Sequence, residues 1–221
     1  MPTAHLAIET ASAHSSLTLG LADEILGTVK LPQPRRHHLE LMPALANLCE
    51  QHGLAPADLS EVYVSLGPGS FTGLRMGLTT AKMLALTLGV GLVGVPTLDV
   101  LAHNAPDHVQ RVAVCLNLKR ETVYCALYDA KRQQIAEPAL RSASQLLDLN
   151  PDAILGDPLP PLPEDAPVLP AELAIPRSEH VYRLGRSLAS QNIHADPDTM
   201  APLYIREPEA VTLWNQRYSP E

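Results

Sequence analysis

The chain has 221 residues, 46% of them hydrophobic and 18% charged, enough to bury a sizeable core in one large domain or two small ones. Its formal net charge of -8 lacks the broad positive field by which nucleic-acid binders hold phosphate. Aromatic residues make up only 4%, which leaves little surface for stacking unpaired bases.

Residues 5–9, 15–21 and 25–30 read as three short strands joined by tight polar turns, an antiparallel meander. Pro32 and Pro34 break the chain, and a helix is expected from about His38 to Gly53. Pro43 fits that helix only near its first turn, where amides lack intrahelical partners. Leu41, Leu45 and Leu48 fall at i, i+4 and i+7 on one apolar face, widened by Met42, Ala46 and Cys49. Residues 61–66 form a buried strand that runs into a glycine-rich turn and a long helix ending near Leu88. Gly73, Gly77, Ala81 and Ala85 repeat along that helix at i+4 steps, a stripe without bulk that either packs internally or receives a partner helix.

A strand at 90–95, a short helix at 97–103 and a hairpin of 112–118 with 121–129 follow. Eight prolines between Pro151 and Pro176 oppose continuous helix or central strand, so irregular surface chain is expected there. A helix is expected at 178–190. This order gives an α/β (α+β) protein with a mixed sheet, divided into a lobe of residues 1–105 and a smaller one of residues 106–221.

Cys49, Cys115 and Cys125 form no CxxC pair, and an odd count fits no closed disulfide framework. The N-terminus shows neither the charged region nor the apolar run of a signal peptide. The apolar stretch 83–95 is too short for a bilayer and holds three glycines. A reducing cytoplasm without membrane attachment is the expected compartment.

The strand–glycine turn–helix unit carrying Gly67, Gly69, Ser70, Thr72, Gly73 and Arg75 is built like an anion cradle. It lacks the Lys-Ser/Thr of a Walker A loop, and Thr72 stands where a dinucleotide motif needs glycine. Anion binding and a purely structural turn both remain open on these residues. No metal site is expected: His38 has Leu41 and Met42 at i+3 and i+4, and there is no HExxH. Ser70 lacks the G-x-S-x-G setting of a nucleophile, so no catalytic residue is expected. Arg35, Arg36, His37 and His38 read as a solvated loop or a small basic patch.

Taken as one string, residues 67–77 (GPGSFTGLRMG) closely resemble the GPGSFTGLRxG signature of the TsaB (YeaZ) family. Leu6 to Ala11, His38 to Pro43 at the helix start, Val95 to Leu98 and Pro202 to Arg206 resemble that family in the same order. The resemblance implies an actin-like (ASKHA, ribonuclease H-like) fold with two lobes, the second smaller and degenerate. It implies a non-catalytic accessory subunit for placing threonylcarbamoyl on tRNA adenosine. The implied partners are the catalytic paralogue TsaD and the ATPase TsaE, with a homodimer when the chain is alone and tRNA reached only indirectly. No cofactor is required by the chain itself, with ATP or ADP expected at the shared interface if anywhere. The family's opening strand usually carries Asp where Glu9 stands, and Asp-Ala-Arg where Asn117-Leu118-Lys119 stands. Both departures weaken independent nucleotide chemistry.

The partner face expected from the apolar helices comprises His38, Leu41, Met42, Leu45, Leu48, Met76, Thr80 and Met83. On that reading Leu45→Glu or Met83→Glu abolishes pairing and leaves the fold intact. The alternative is an actin-like ATPase or kinase acting alone, with Glu9, Thr10 and Ser12 near the glycine loop.

Overall fold

Every residue of the first strand, β1 (Ala4–Glu9), is buried, so the strand must be covered on both faces. The computed structural model, which describes residues 3–31, 37–119 and 122–205, shows how. β1 is the centre of a five-stranded sheet with β2 (Ser16–Leu21), β3 (Glu24–Lys30), β4 (Leu59–Gly67) and β5 (Gly91–Pro96) in the order β3-β2-β1-β4-β5. β1, β2 and β3 pair antiparallel, and β1, β4 and β5 pair parallel. This is the actin-like, ribonuclease H-like arrangement.

Alternate residues of the sheet feed two cores. Leu6, Ile8, Val62, Val64 and Leu92 meet Leu41, Leu45 and Leu48 of α1 (His37–Gln51) and Leu78, Ala81, Leu84 and Ala85 of α2 (Phe71–Leu88). On the opposite face Ala7, Tyr63, Val93 and Val95 meet Val181, Tyr182 and Ala189 of the helix Ser178–Ser190. That helix keeps its expected limits, although it comes from the far end of the chain. Its seat is fixed by Thr18 Oγ1 and Ser178 Oγ at 2.8 Å and by Tyr182 donating to Ala22 O at 2.8 Å.

The second sheet has the order β8-β7-β6-β9, from β6 (Val112–Lys119), β7 (Thr122–Tyr128), β8 (Gln134–Ser142) and β9 (Ala153–Leu155). α3 (Thr97–Ala102) covers one face through Leu98, Leu101 and Ala102. α4 (Ala143–Leu147) covers the other through Leu146. The helix at 178–190 is α5.

Three expectations change. The proline-rich region is not wholly irregular, because β9 is a fully buried strand parallel to β6 and Ile154 also bridges Val168. Pro43 lies inside α1, beyond its first turn, so an interior hydrogen bond is lost. β8 was not anticipated. Its Pro138 is tolerated because β8 is an edge strand. No helix among the described residues is long and apolar enough to cross a membrane.

Candidate functional site

The glycine-rich turn is held by its neighbours on all sides. Ser70 caps α2, its hydroxyl accepting from Gly73 N at 3.3 Å, and its own amide donates to Ala11 O at 2.7 Å. A Cβ on Gly69 would overlap Ala11 O, and one on Gly73 or Gly77 would overlap Thr10. The small-residue stripe of α2 therefore seats the β1–β2 turn within the molecule. Its lower half, Ala81 and Ala85, is likewise buried in the core.

Arg75 is also engaged. Its guanidinium lies 3.8 Å from the centre of the Phe71 ring, and Nε donates to Tyr204 Oη at 3.0 Å. The Phe71 and Tyr204 rings pack tilted by 32°, with centroids 5.3 Å apart. Residues 195–204 form a strap along the open edge of the first sheet, with Ala195 N bonded to Leu92 O and Leu203 N to Leu66 O, both at 2.8 Å. Lys82 fastens it from α2 by donating to Met200 O at 3.0 Å.

Glu9 ends β1 with 0% exposure. Oε1 accepts the Ala11 amide at 2.6 Å. Burial raises the carboxyl to a pKa of about 7, opposed in part by the Ala11 N–H and by Ser65. The Ser65 hydroxyl lies close but makes no well-formed hydrogen bond, and Glu9 Oε2 and the Thr10 and Thr97 hydroxyls also lack partners. Near neutral pH this carboxyl is a half-protonated, sealed group.

The surface between α1 and α2 is different. Met42, Met83 and Leu86 are 48%, 58% and 52% exposed. A groove of about 360 Å³ runs between Met42 and Met83, lined also by Thr79, Thr80, Leu84, Thr87 and Leu88, and Leu86 lies outside that lining. A second hollow, about 290 Å³, separates the β1–β2 region from the start of α5 and carries charges of both signs: Lys30 and Arg177 against Glu172 and Glu179.

A family model described as "TsaD: tRNA N6-adenosine threonylcarbamoyltransferase" matches residues 24–164. The tRNA threonylcarbamoyladenosine biosynthesis protein TsaB of Bacillus subtilis is 35% identical over 130 residues, 57% of this chain and 55% of that protein. The chain belongs to the TsaB (YeaZ) family. The match to the Bacillus TsaB spans little more than half of that relative's length. An uncharacterized protein of Mycobacterium tuberculosis is 30% identical over 213 residues, 94% of each chain. The fold agrees with the solved structure of YeaZ from Pseudomonas aeruginosa at a TM-score of 0.75 and 21% identity, over 92% of this chain and 100% of that one.

Within this TsaB-family chain the residues expected at a partner face divide. Met42 and Met83 are open, Met76 and Thr80 are half-buried, and Leu41, Leu45 and Leu48 are buried in the core. The last three face β-sheet rather than solvent, because the stripe at i, i+4, i+7 is the one that α1 lays on the sheet. The His38 side chain, and those of Arg35, Arg36 and Asn117 to Lys119, lie outside the described residues. Leu86 was missed. It stands three residues after Met83 on the same side of α2, a spacing that could have found it. Among the loop residues, Gly67, Gly69, Ser70, Gly73 and Arg75 converge on the β1–β2 turn and the strap, and Thr72 is exposed.

Proposed function

We propose that this chain is a non-catalytic accessory subunit of the tRNA threonylcarbamoyladenosine machinery, and that it supports a TsaD-like catalytic partner through the α1–α2 surface. The observation that carries this reading is a contrast on one lobe. The carboxylate that an independent actin-like ATPase would use, Glu9, is sealed and tied to Ala11. The apolar side chains Met42 and Met83 stand open around a groove, and Leu86 is exposed one turn along α2 from Met83. Exposed apolar surface of this kind costs free energy until a partner covers it.

The naming of relatives for tRNA threonylcarbamoyladenosine biosynthesis and the TsaD family model support the same assignment. With a net charge of -8, the chain meets tRNA through its partner rather than directly. A TsaE-like ATPase joins the pair, and any ATP or ADP sits at a shared interface. In the absence of the partner the same surface pairs two copies. Three buried cysteines without a disulfide suit the cytoplasm.

The test is co-expression with the TsaD-like protein of the same genome and measurement of the complex mass by light scattering. A hetero-complex is expected, lost on Met83→Glu or Leu86→Glu with unchanged melting of the isolated chain at concentrations where it is monomeric. Retention of separate species at micromolar concentration contradicts the reading.

A further inference from the structure

Cys115 on β6 and Cys125 on β7 are register partners, and their side chains share the sheet face covered by α4. The Cys125 carbonyl points toward β8, where Arg141 Nη1 donates to it at 2.6 Å and also approaches Ala139 O. The Cys115 carbonyl points the opposite way, toward Gly156, where an added Cβ would lie 2.7 Å from it. In an antiparallel strand the N–H and C=O of one residue face the same neighbour. Neither cysteine therefore exchanges backbone hydrogen bonds across β6–β7. Such a non-hydrogen-bonded pair sets its Cα atoms about 4.5 Å apart, with the side chains at their closest. That spacing lies inside the roughly 4.4–6.8 Å that a disulfide spans.

A buried thiol among apolar groups is ordinarily inert. Here the surroundings are not wholly apolar. Arg141 reaches in from the partly exposed edge strand and places Nη1 3.6 Å from Cys125 Sγ. The contact with the Cys115 thiol, and then the guanidinium, favours the thiolate of Cys125 against the effect of burial, whereas Cys115 is held as the thiol.

We propose that Cys115 and Cys125 form a redox modification site, closed to a cross-strand disulfide by hydrogen peroxide and reopened by a dithiol. The Cys125 thiolate attacks a peroxide oxygen. An S–O bond forms, the O–O bond breaks, and the leaving hydroxide takes up a proton as water. The Cys115 sulfur then attacks the sulfenic sulfur of Cys125. The S–S bond forms, the S–O bond breaks, and the departing hydroxyl leaves as a second water with the Cys115 proton. The thiols lose two electrons and two protons, which the peroxide gains.

The test exposes the reduced full-length chain to hydrogen peroxide, follows its fold by circular dichroism, blocks remaining thiols and maps peptides without reduction. A peptide pair linked through Cys115 and Cys125 is expected while the chain remains folded, with Cys49 still free in α1 and dithiothreitol restoring both thiols. Cys115→Ser is expected to leave a Cys125 sulfenic acid that dimedone traps. Arg141→Met is expected to slow closure several-fold through lost thiolate stabilisation. The proposal is overturned if peroxide treatment of the folded chain leaves both thiols free to alkylate once it is denatured, or if links to Cys49 form as readily. Closure at an unchanged rate in Arg141→Met overturns the part assigned to the guanidinium.

Discussion

Glu9 and Ala11 are two residues apart, and the carboxylate of the first accepts the amide proton of the second at 2.6 Å. The chain bends over the end of β1 to make this bond, and the bend is what the glycines of α2 receive. A carboxylate position and a helix surface are thus spent on each other.

The Glu9 carboxyl gives the fold a pH dependence of definite sign. Folding raises its pKa from 4.5 to about 7, so the folded state keeps a proton that the unfolded chain has already lost. Stability therefore falls as pH rises from about 4.5 through about 7 and is flat above. The loss is about 3 kcal/mol from this group. Glu9→Gln, which retains an acceptor for Ala11 N–H, is expected to remove this slope in urea titrations at pH 5 and pH 8. A slope identical to that of the parent chain contradicts the assignment.

Leu45 and Met83 separate core from surface. Leu45 is 1% exposed, so Leu45→Glu buries a charge and is expected to unfold the chain rather than merely prevent pairing. Leu45→Ala should cost about 2–5 kcal/mol. Met83 is 58% exposed, and Met83→Glu should change stability by no more than about 0.5 kcal/mol. Thermal melts of the isolated variants give the comparison.

Gly77 and Gly89 should respond to substitution for different reasons. A side chain at Gly77 meets Thr10, and Gly77→Val should cost about 2 kcal/mol or more through overpacking. Gly89 has open space around it but ends α2 at φ 67, so Gly89→Ala should cost about 1 kcal/mol from backbone conformation alone. Denaturant midpoints distinguish the two. Equal tolerance at both sites would show that the β1–β2 turn is not seated on α2.

Tyr204 anchors the strap over the glycine loop. Tyr204→Ala removes the Arg75 hydrogen bond and the Phe71 contact and should speed limited proteolysis within residues 195–204. An unchanged cleavage pattern would place the anchor elsewhere, at Lys82 or Leu203.

Local patterns in the chain were largely sufficient for its elements. The strand–turn–helix around Gly67 and the helix at 178–190 stand within about two residues of their expected limits, because caps and periodicity are local signals. What local signals could not give is who covers a face. Leu41, Leu45 and Leu48 announce burial, but their periodicity is the same whether a sheet or a partner buries them. β9 was hidden because a three-residue parallel strand flanked by Pro151 and Pro158 has no period of its own and is defined by pairing with Val112 to Val114. The docking of α5 onto the first sheet depends on contacts such as Thr18 with Ser178, 160 positions apart. Glu9 was visible as a carboxylate. Its sealing was not, since that follows from the path of the next two residues.

The account stands on the chain being a support rather than a catalyst, and an assay of threonylcarbamoyl transfer to tRNA tests this most directly. The purified chain alone should give no modified adenosine. Adding it to the TsaD-like and TsaE-like proteins with a threonylcarbamoyl donor should restore product, and Met83→Glu should abolish that restoration. Transfer by the isolated chain, lost on Glu9→Ala, would contradict the account.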